Sequence, residues 1–502
     1  MLFYQNQYFQ GTLTDERAGE ILDLLDTDCV SDLRHIITDL TASQITSIQE
    51  AYKNGEEIPS YENSYGTLTD MQTVGVQFMY LAQRCLLGDQ VGLGKTVESA
   101  GLMNILYSEK GYRTLFLTEK TIVPQISTKL IKFTGRYVDT ILNAEKRQLQ
   151  KFFDRMPNGF EYDVVGSHSL LQSSEFLYYC SLHPIDCLII DEGYILKNTT
   201  STYYKNAVLL AKMAKYVIIL NATPLETEAR NIYNQLKLLD RSFMPTVEEF
   251  EQAYCIKRPN VFGRGWSVVG YKNTNVFKKA ITLRYLARTR DDVGALIGSN
   301  DVRVLYVPMT NVQKALERKT TLYQMVADYP TGVDFTIPYS METTGKLEAL
   351  VNLFLGEFSG ESVLLYSRFI ECQSKIVEEL RRIGRKPVIL NGSCSTSERD
   401  LIIKDFNLGI YDVLVTNITR GYDLEGCDRC VIYSLDPNPQ KLVQLFGRLT
   451  RDENIVGKHL FMLISEGKEK QSFATSSKMR ATASMQFTRV GTNLVLQAIA
   501  EG

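Results

Sequence analysis

The chain reads as an α/β protein: two parallel-sheet units in tandem, a helical insertion between them, and a small N-terminal domain. Three observations predict this. Short apolar segments alternate with helical patterns from residue 68 to about 239, the texture of strands buried on both faces of a parallel sheet. The same alternation returns from about 341 to 463. A glycine-rich loop separates the first strand of the first unit from the helix after it.

Taken in order, residues 1–66 show mixed helical patterning, with Ile21, Leu24 and Leu25 followed by Leu33, Ile36, Ile37 and Leu40. Asn54-Gly55 and Pro59 break it. Twelve acids against three bases give residues 1–65 a charge of −9, so the remaining 437 residues carry +6 of a net −3. A modestly basic body is compatible with a phosphate-backbone partner. The acidic domain reads either as a helical brace on the first unit or as a docking module for a protein partner. The first unit, 67–240, has strand candidates at 84–87, 115–117, 163–166, 187–190 and 217–220, with a helix at 97–107. Residues 241–340 read as mostly helical and charged, punctuated by Pro245, Pro259, Pro330 and Pro338. The second unit, 341–466, has strand candidates at 363–366, 388–390, 413–416 and 431–433, and a basic tail follows at 467–502.

Composition narrows the class. No apolar run approaches the roughly 20 residues of a membrane span, so no membrane partner is expected. Met1 to Gln10 lacks a signal-peptide pattern, and nine scattered cysteines fit a reducing, cytoplasmic compartment. Cys427-Asp428-Arg429-Cys430 has no second pair and abuts a strand, so it reads as structural.

The chemistry starts at Gly88-Asp89-Gln90-Val91-Gly92-Leu93-Gly94-Lys95-Thr96. Gly92 and Gly94 let a backbone wrap a triphosphate with its N–H groups pointing inward. Lys95 reaches the β/γ-phosphates of ATP, and Thr96 offers a hydroxyl to Mg2+. Asp89 stands where most such loops have their first glycine. Asp191-Glu192 follows directly on strand 187–190, where parallel sheets place ligand groups. Asp191 suits Mg2+, and Glu192 suits the orientation and deprotonation of an attacking water. A solvated strand end is the alternative, which the upstream loop disfavours. Past Asn438-Pro439, Gln444, Arg448 and Arg451 fall on one helical face. Two guanidiniums and an amide there suit a γ-phosphate and its transition-state charge, with an ordinary basic surface as the alternative.

In this order Asp89–Thr96, Asp191-Glu192-Gly193-Tyr194, Asn221-Ala222-Thr223-Pro224 and Gln444–Arg451 resemble motifs I, II, III and VI of superfamily 2 helicases. Finer detail resembles the Swi/Snf-type branch. "DQVGLGKT" is similar to that branch's "DEMGLGKT", which accounts for Asp89. Met71-Gln72-Thr73-Val74-Gly75-Val76 resembles its adenine-reading segment, "DEGYILKN" resembles "DEAHxxKN", 286–293 resembles "LRRTKxDV", and Thr344-Gly345-Lys346-Leu347 resembles "SGKL". The resemblance spans about 67–465. It departs at Tyr194, which replaces the usual histidine, at motif V (416–423), and at motif VI, "QLFGRLTR". A compact relative of bacterial, phage or large-virus type is implied.

The resemblance implies two tandem RecA-like lobes that grip a nucleic-acid backbone, closing on ATP and reopening on hydrolysis. It implies that Gln72 reads adenine and that Asp89, Gly92, Gly94, Lys95, Thr96 and Asp423 serve the nucleotide. Thr96 and Asp191 then hold Mg2+, Glu192 is the base, and Gln444, Arg448 and Arg451 act from the second lobe. Thr223 couples hydrolysis to movement. Thr118, Gln125, Ser167, Ser367, Arg368, Asn391, Gly392 and Thr416 become candidate nucleic-acid contacts. Lys278, Lys279, Arg284, Arg288 and Arg290 join them as phosphate contacts from the insertion. The implied function is a double-stranded DNA translocase of replication, recombination or repair, acting by branch migration or fork remodelling. The alternatives are a strand-separating helicase on DNA or RNA, and an ATP-driven factor that displaces proteins in transcription.

Overall fold

A computed structural model describes most of residues 62–473. Outside the described residues lie 1–61 and 474–502, the stretches 225–228, 260–265, 289–300, 309–344, 437–440 and 451–458, and scattered single positions. The acidic N-terminal domain and the basic tail therefore lie outside them. The chain divides into two compact units near residue 293.

The first unit opens with a small antiparallel pair, β1 (Glu62–Asn63) and β2 (Gly66–Thr67). Helix α1 (Asp70–Ala82) starts at a capping box, in which Thr69 and Gln72 satisfy each other's backbone N–H groups. Then come β3 (Arg84–Leu87), α2 (Lys95–Lys110), β4 (Thr114–Thr118), α3 (Val123–Thr134), β5 (Val138–Ile141), α4 (Lys146–Arg155), β6 (Asp163–Ser167), α5 (Ser174–Leu182), β7 (Cys187–Asp191), α6 (Thr202–Met213), β8 (Tyr216–Leu220) and α7 (Ala229–Leu239).

Strands β3 to β8, with β11 (Tyr285–Leu286) from further along the chain, make one parallel sheet, ordered β11-β3-β8-β7-β4-β6-β5. Alternate strand residues feed two cores, one on each face. Leu86, Leu115, Leu117, Val164, Leu188, Ile190, Val217 and Ile219 enter one core. Cys85, Leu87, Phe116, Val165, Cys187, Ile189, Ile218 and Leu220 enter the other. Burial on both faces is why these strands read as continuous apolar runs.

In the segment expected to be a helical insertion, the described residues form strands as well as helices. Helices α8 (Val247–Tyr254) and α9 (Thr274–Ala280) flank an antiparallel hairpin, β9 (Cys255–Pro259) and β10 (Trp266–Tyr271). Strand β11 (Tyr285–Leu286) then joins the edge of the first sheet beside β3. Strand β12 (Asp301–Val307) pairs along its whole length with β17 of the second sheet. Its Val302, Val304 and Tyr306 alternate with Asp301, Arg303 and Leu305, a strand period that the charged surroundings mask.

The second unit continues with α10 (Gly345–Leu355), β13 (Val363–Tyr366), α11 (Ile370–Arg382), β14 (Pro387–Leu390), α12 (Thr396–Asn407), β15 (Val413–Thr416), β16 (Arg429–Ile432) and β17 (His459–Ser465). Its sheet is also all parallel, in the order β12-β17-β16-β13-β15-β14. The core gathers Val363, Leu365, Val413, Val415, Val431, Phe461 and Leu463 against Leu350 and Phe354 of α10 and Ile376 and Leu380 of α11. Cys427 and Cys430 are buried free thiols. Among the described residues no helix is long and apolar enough to cross a membrane.

Candidate nucleotide site

The first sheet brings three loops to one edge. The glycine loop leaves β3, Asn221 leaves β8, and Asp191-Glu192 ends β7, and these three strands are neighbours. In the loop, Gly92 (φ +93°) and Gly94 (φ +95°) adopt backbone that a side chain would strain. Gly94 is the N-cap of α2 and offers no side-chain hydrogen bond to the first turn. The helix therefore presents its leading N–H groups and the positive end of its dipole to an anion. The Lys95 Nζ donates to the loop's own carbonyls, Asp89 O at 2.6 Å and Gln90 O at 3.4 Å. Burial lowers its pKa, while Asp89, Glu192, Asp191 and Glu98 push the other way. A phosphate would supply the anionic partner that these carbonyls replace.

The Gln72 side chain, expected to read adenine, lies against this loop. Its Oε1 accepts from Thr69 N at 3.1 Å and its Nε2 donates to Leu93 O at 3.5 Å. A Cβ on Gly94 would come within 2.4 Å of that Nε2, so the Gln72 amide would have to shift, while the φ of +95° is what requires glycine here.

Asp89 corrects its expected role toward the nucleotide. It is fully buried and its carboxylate faces Arg288. The Arg288 backbone N donates to its Oδ1 at 2.9 Å, and Nε donates to both oxygens at 3.1 Å. Arg288 Nη2 also pairs with Asp89 and reaches Glu98 Oε1 at 2.6 Å, while Nη1 donates to Met71 O. Arg288 is therefore no phosphate contact but the cation of a buried cluster joining the loop, α2 and α1. Burial and the Asp89 charge push the Glu98 carboxyl up to about 8, against the pull of Arg288. Arg284, also expected on phosphate, is buried and donates to Ala82 O at 3.1 Å and Arg84 O at 2.7 Å.

Asp191 ends β7 as expected. Its Oδ2 accepts from the Thr118 hydroxyl at 3.0 Å and its Oδ1 from Glu192 N at 2.9 Å. Burial, then the charge of Glu192, pushes its carboxyl up to about 7, with Thr118 and Lys95 opposing. A half-buried carboxylate, close enough to Lys95 to feel its charge, fits a hard divalent cation such as Mg2+. Glu192 sits at φ +51°, ψ 60°, left-handed backbone for a non-glycine residue. That conformation costs about 1–3 kcal/mol and concentrates at functional positions. It breaks the strand where the second carboxylate is needed.

Two further links meet here. His168 Nε2 lies 2.8 Å from the Asp191 carbonyl, and the Tyr194 hydroxyl donates to Glu119 Oε1 at 2.6 Å. Both histidine and tyrosine line a cleft of about 580 Å³ with Glu119, Lys120, Ser167 and Lys197, at the carboxyl ends of β4, β6 and β7.

Gln235 was not legible beforehand. Asn221 Nδ2 donates to its Oε1 at 2.9 Å, and its Nε2 donates to Pro224 O and Asn231 O, each at 3.0 Å. A Cβ on Gly193 would meet its Oε1 at 2.7 Å, so Gln235 packs against the turn after Glu192 as well. The available signal was three buried amides, Asn231, Asn234 and Gln235, at i, i+3 and i+4 of α7. Gln235→Leu will remove the acceptor of Asn221 Nδ2 and the donor to Pro224 O and Asn231 O, and cost the first unit about 1–3 kcal/mol. It will also lower ATP turnover more than ATP affinity. Thermal melts and a kcat-against-KM comparison check this, and unchanged kcat would show that Gln235 acts on stability alone.

Most expected nucleic-acid contacts are otherwise engaged. Thr118 serves Asp191, and the Ser167 hydroxyl meets Ser169 Oγ at 2.6 Å. Gln125 is exposed near the start of α3. In the second unit Ser367, Asn391 and Thr416 follow or end β13, β14 and β15, which are contiguous in the sheet. All three are buried. Asn391 Oδ1 accepts from Ser393 N at 3.0 Å, and Thr416 Oγ1 accepts from Ile418 N at 2.9 Å. Arg368 lies over the Phe369 ring at 5.4 Å, and Gly392 is open, with nothing within 4 Å of an added Cβ. Thr223, Asp423, Gln444, Arg448 and Arg451 lie outside the described residues, as does Arg290. Nothing is placed for the Lys279 side chain, which shares that status.

A phosphate loop and an Asp-Glu strand end on one parallel sheet, with a second parallel-sheet unit after it, define a helicase-type ATPase. Within that class the chain belongs to the SNF2-related family: the SNF2-related domain matches residues 71–334, and a helicase conserved C-terminal domain matches 345–453. It is 22% identical over 441 residues to a Xenopus tropicalis "SWI/SNF-related matrix-associated actin-dependent regulator of chromatin subfamily A-like protein 1", covering 82% of this chain and 44% of that one. It is 25% identical over 400 residues to the Haemophilus influenzae "RNA polymerase-associated protein RapA", covering 73% and 42%. Against the Gallus gallus "DNA repair and recombination protein RAD54B" it is 21% identical over 461 residues, covering 76% and 49%. The chain spans about half the length of the curated relatives it matches.

Proposed function

We propose that this chain is an ATP-driven translocase on double-stranded DNA. The observation that carries the reading is Asp191-Glu192 on the strand end between two ligand sites. On one side is the uncapped helix start with Lys95, and on the other is the cleft wired to Asp191 through His168. Lys95 and the α2 N–H groups would hold the triphosphate, and Thr96 and Asp191 would hold Mg2+. Bound there, the cation would neutralise phosphate charge and keep Asp191 ionised. Glu192 would orient water for in-line attack and take its proton. Arg448 and Arg451, with Gln444, would supply transition-state charge, Asp423 would serve the nucleotide and Thr223 the coupling.

Lys120 and Lys197 would meet backbone phosphate in the cleft, so binding should carry little sequence preference. The name of the RAD54B relative supports a task in recombination or repair, of which branch migration and fork remodelling are instances. Expected in solution is ATP hydrolysis stimulated by duplex or four-way-junction DNA and abolished by Lys95→Ala. Raising salt should weaken the stimulation with a log–log slope of roughly −0.9 per phosphate contact. Stimulation by RNA alone would overturn the reading. Displacement of a third strand from a triplex, without separation of the duplex, distinguishes translocation from unwinding.

A further inference from the structure

The β9–β10 hairpin has a part to play that the nucleotide site does not explain. Among the described residues its two strands pair only with each other. Its base is anchored: Tyr254 and Cys255 are buried in the first unit's core, and Val268 and Tyr271 pack against that core. Its described outer positions are exposed. Trp266, the only tryptophan in the chain, is 67% exposed and pairs in register with exposed Pro259, while Arg258 and Ile256 are exposed on the same strand. A register shift between Val268 and Gly270 adds local twist where the ribbon leaves the core.

Charge identifies the partner. Residues 252–290 contain nine Lys or Arg and no Asp or Glu, in a chain whose net charge is −3. Three of the nine are committed internally: Arg284 and Arg288 are buried, and Lys257 pairs with Glu251. Arg258 and Lys272 are exposed on or beside the hairpin. An exposed indole among cations, with no acid in the segment, matches a polyanion that also offers flat aromatic faces. Nucleic acid is that ligand. An intact duplex hides its base faces, so the indole can stack only where a base is unpaired or terminal.

We propose that the β9–β10 hairpin is a second nucleic-acid contact, with Trp266 stacking on an exposed base of a forked or single-stranded segment while Arg258 meets its backbone. This rests on the DNA reading above and adds a preference for branched over closed DNA. The sole tryptophan makes the test direct. Intrinsic emission of the full chain is followed while a dye-labelled fork, or a closed dumbbell duplex, is titrated in, with binding followed by anisotropy. Expected is quenching by the fork and not by the dumbbell. Trp266→Ala should weaken fork affinity roughly 5- to 100-fold, the range of one lost base–aromatic stack, and leave dumbbell affinity unchanged. Trp266→Phe should recover most of it. Fork binding with unchanged emission overturns this inference alone. No anisotropy rise with any DNA overturns the DNA reading and the inference with it. Emission that shifts with anionic phospholipid vesicles but not with the fork reassigns the hairpin to a membrane surface and overturns the proposal.

Discussion

Glu192→Gln will cut ATP turnover by about 10²- to 10⁴-fold, the range lost with a positioned general base. The amide has the carboxylate's shape and none of its basicity, so the left-handed turn at φ +51° should survive. The Asp191 carboxyl, pushed up by burial and by its neighbour's charge, will lose that neighbour's repulsion. The variant should therefore melt no lower than the parent and still be stabilised by an ATP analogue. Phosphate release and thermal shift, measured side by side, check both halves. Turnover within tenfold of the parent would place the base elsewhere, and loss of the analogue's stabilisation would make Glu192 a binding residue.

Arg288→Met will strongly destabilise the first unit. Asp89 and Glu98 are both fully buried, and Arg288 is the cation that both contact. Removing one partner of a buried ion cluster costs about 3–5 kcal/mol, because the Asp89 charge stays buried without its cation. For a unit of this size that corresponds to roughly 6–20 °C in Tm. The loop should also lose order, since Asp89 sits between Gly88 and the Gln90 carbonyl that Lys95 uses. Neutralising the whole cluster, with Asp89→Asn, Glu98→Gln and Arg288→Met together, should recover much of the loss. Calorimetry on the single and triple variants decides it. A single variant within about 1 kcal/mol of the parent, the scale of an exposed pair, would show that the cluster is solvated.

Nine of the thirteen strands described in the two sheets were legible, because burial on both faces leaves little but apolar side chains, whereas β5, β11 and β17 were not singled out. The Cys187–Asp191 and Tyr216–Leu220 strands could hardly be read otherwise. The hairpin and β12 were not legible. Their charged and proline-bearing sequence resembles the surrounding surface, and their strand character depends on pairing partners rather than on composition. Lys95, Thr96, Asp191 and Glu192 are candidates read from residue type and spacing, and the fold sets them at the start of α2 and the end of β7. Thr118 was assigned to nucleic acid because its position after an apolar run says nothing about which neighbouring strand its hydroxyl faces.

Asp89 shows where local reading ends. In sequence it is an aspartate at a glycine position, enough to point to a branch of one family. Its partner Arg288 comes 199 residues later, and in sequence that arginine is one more cation in a basic stretch. Local pattern encodes period, punctuation and the chemistry of each side chain, so it specified an α/β chain with a phosphate loop and an acidic strand end. Which carboxylate ends a strand beside the phosphate loop and which is sealed in a core depends on contacts across hundreds of residues. Those contacts exist only once the sheet has brought β3, β7, β8 and β11 together, because burial and pairing, not identity, set what a charge can do.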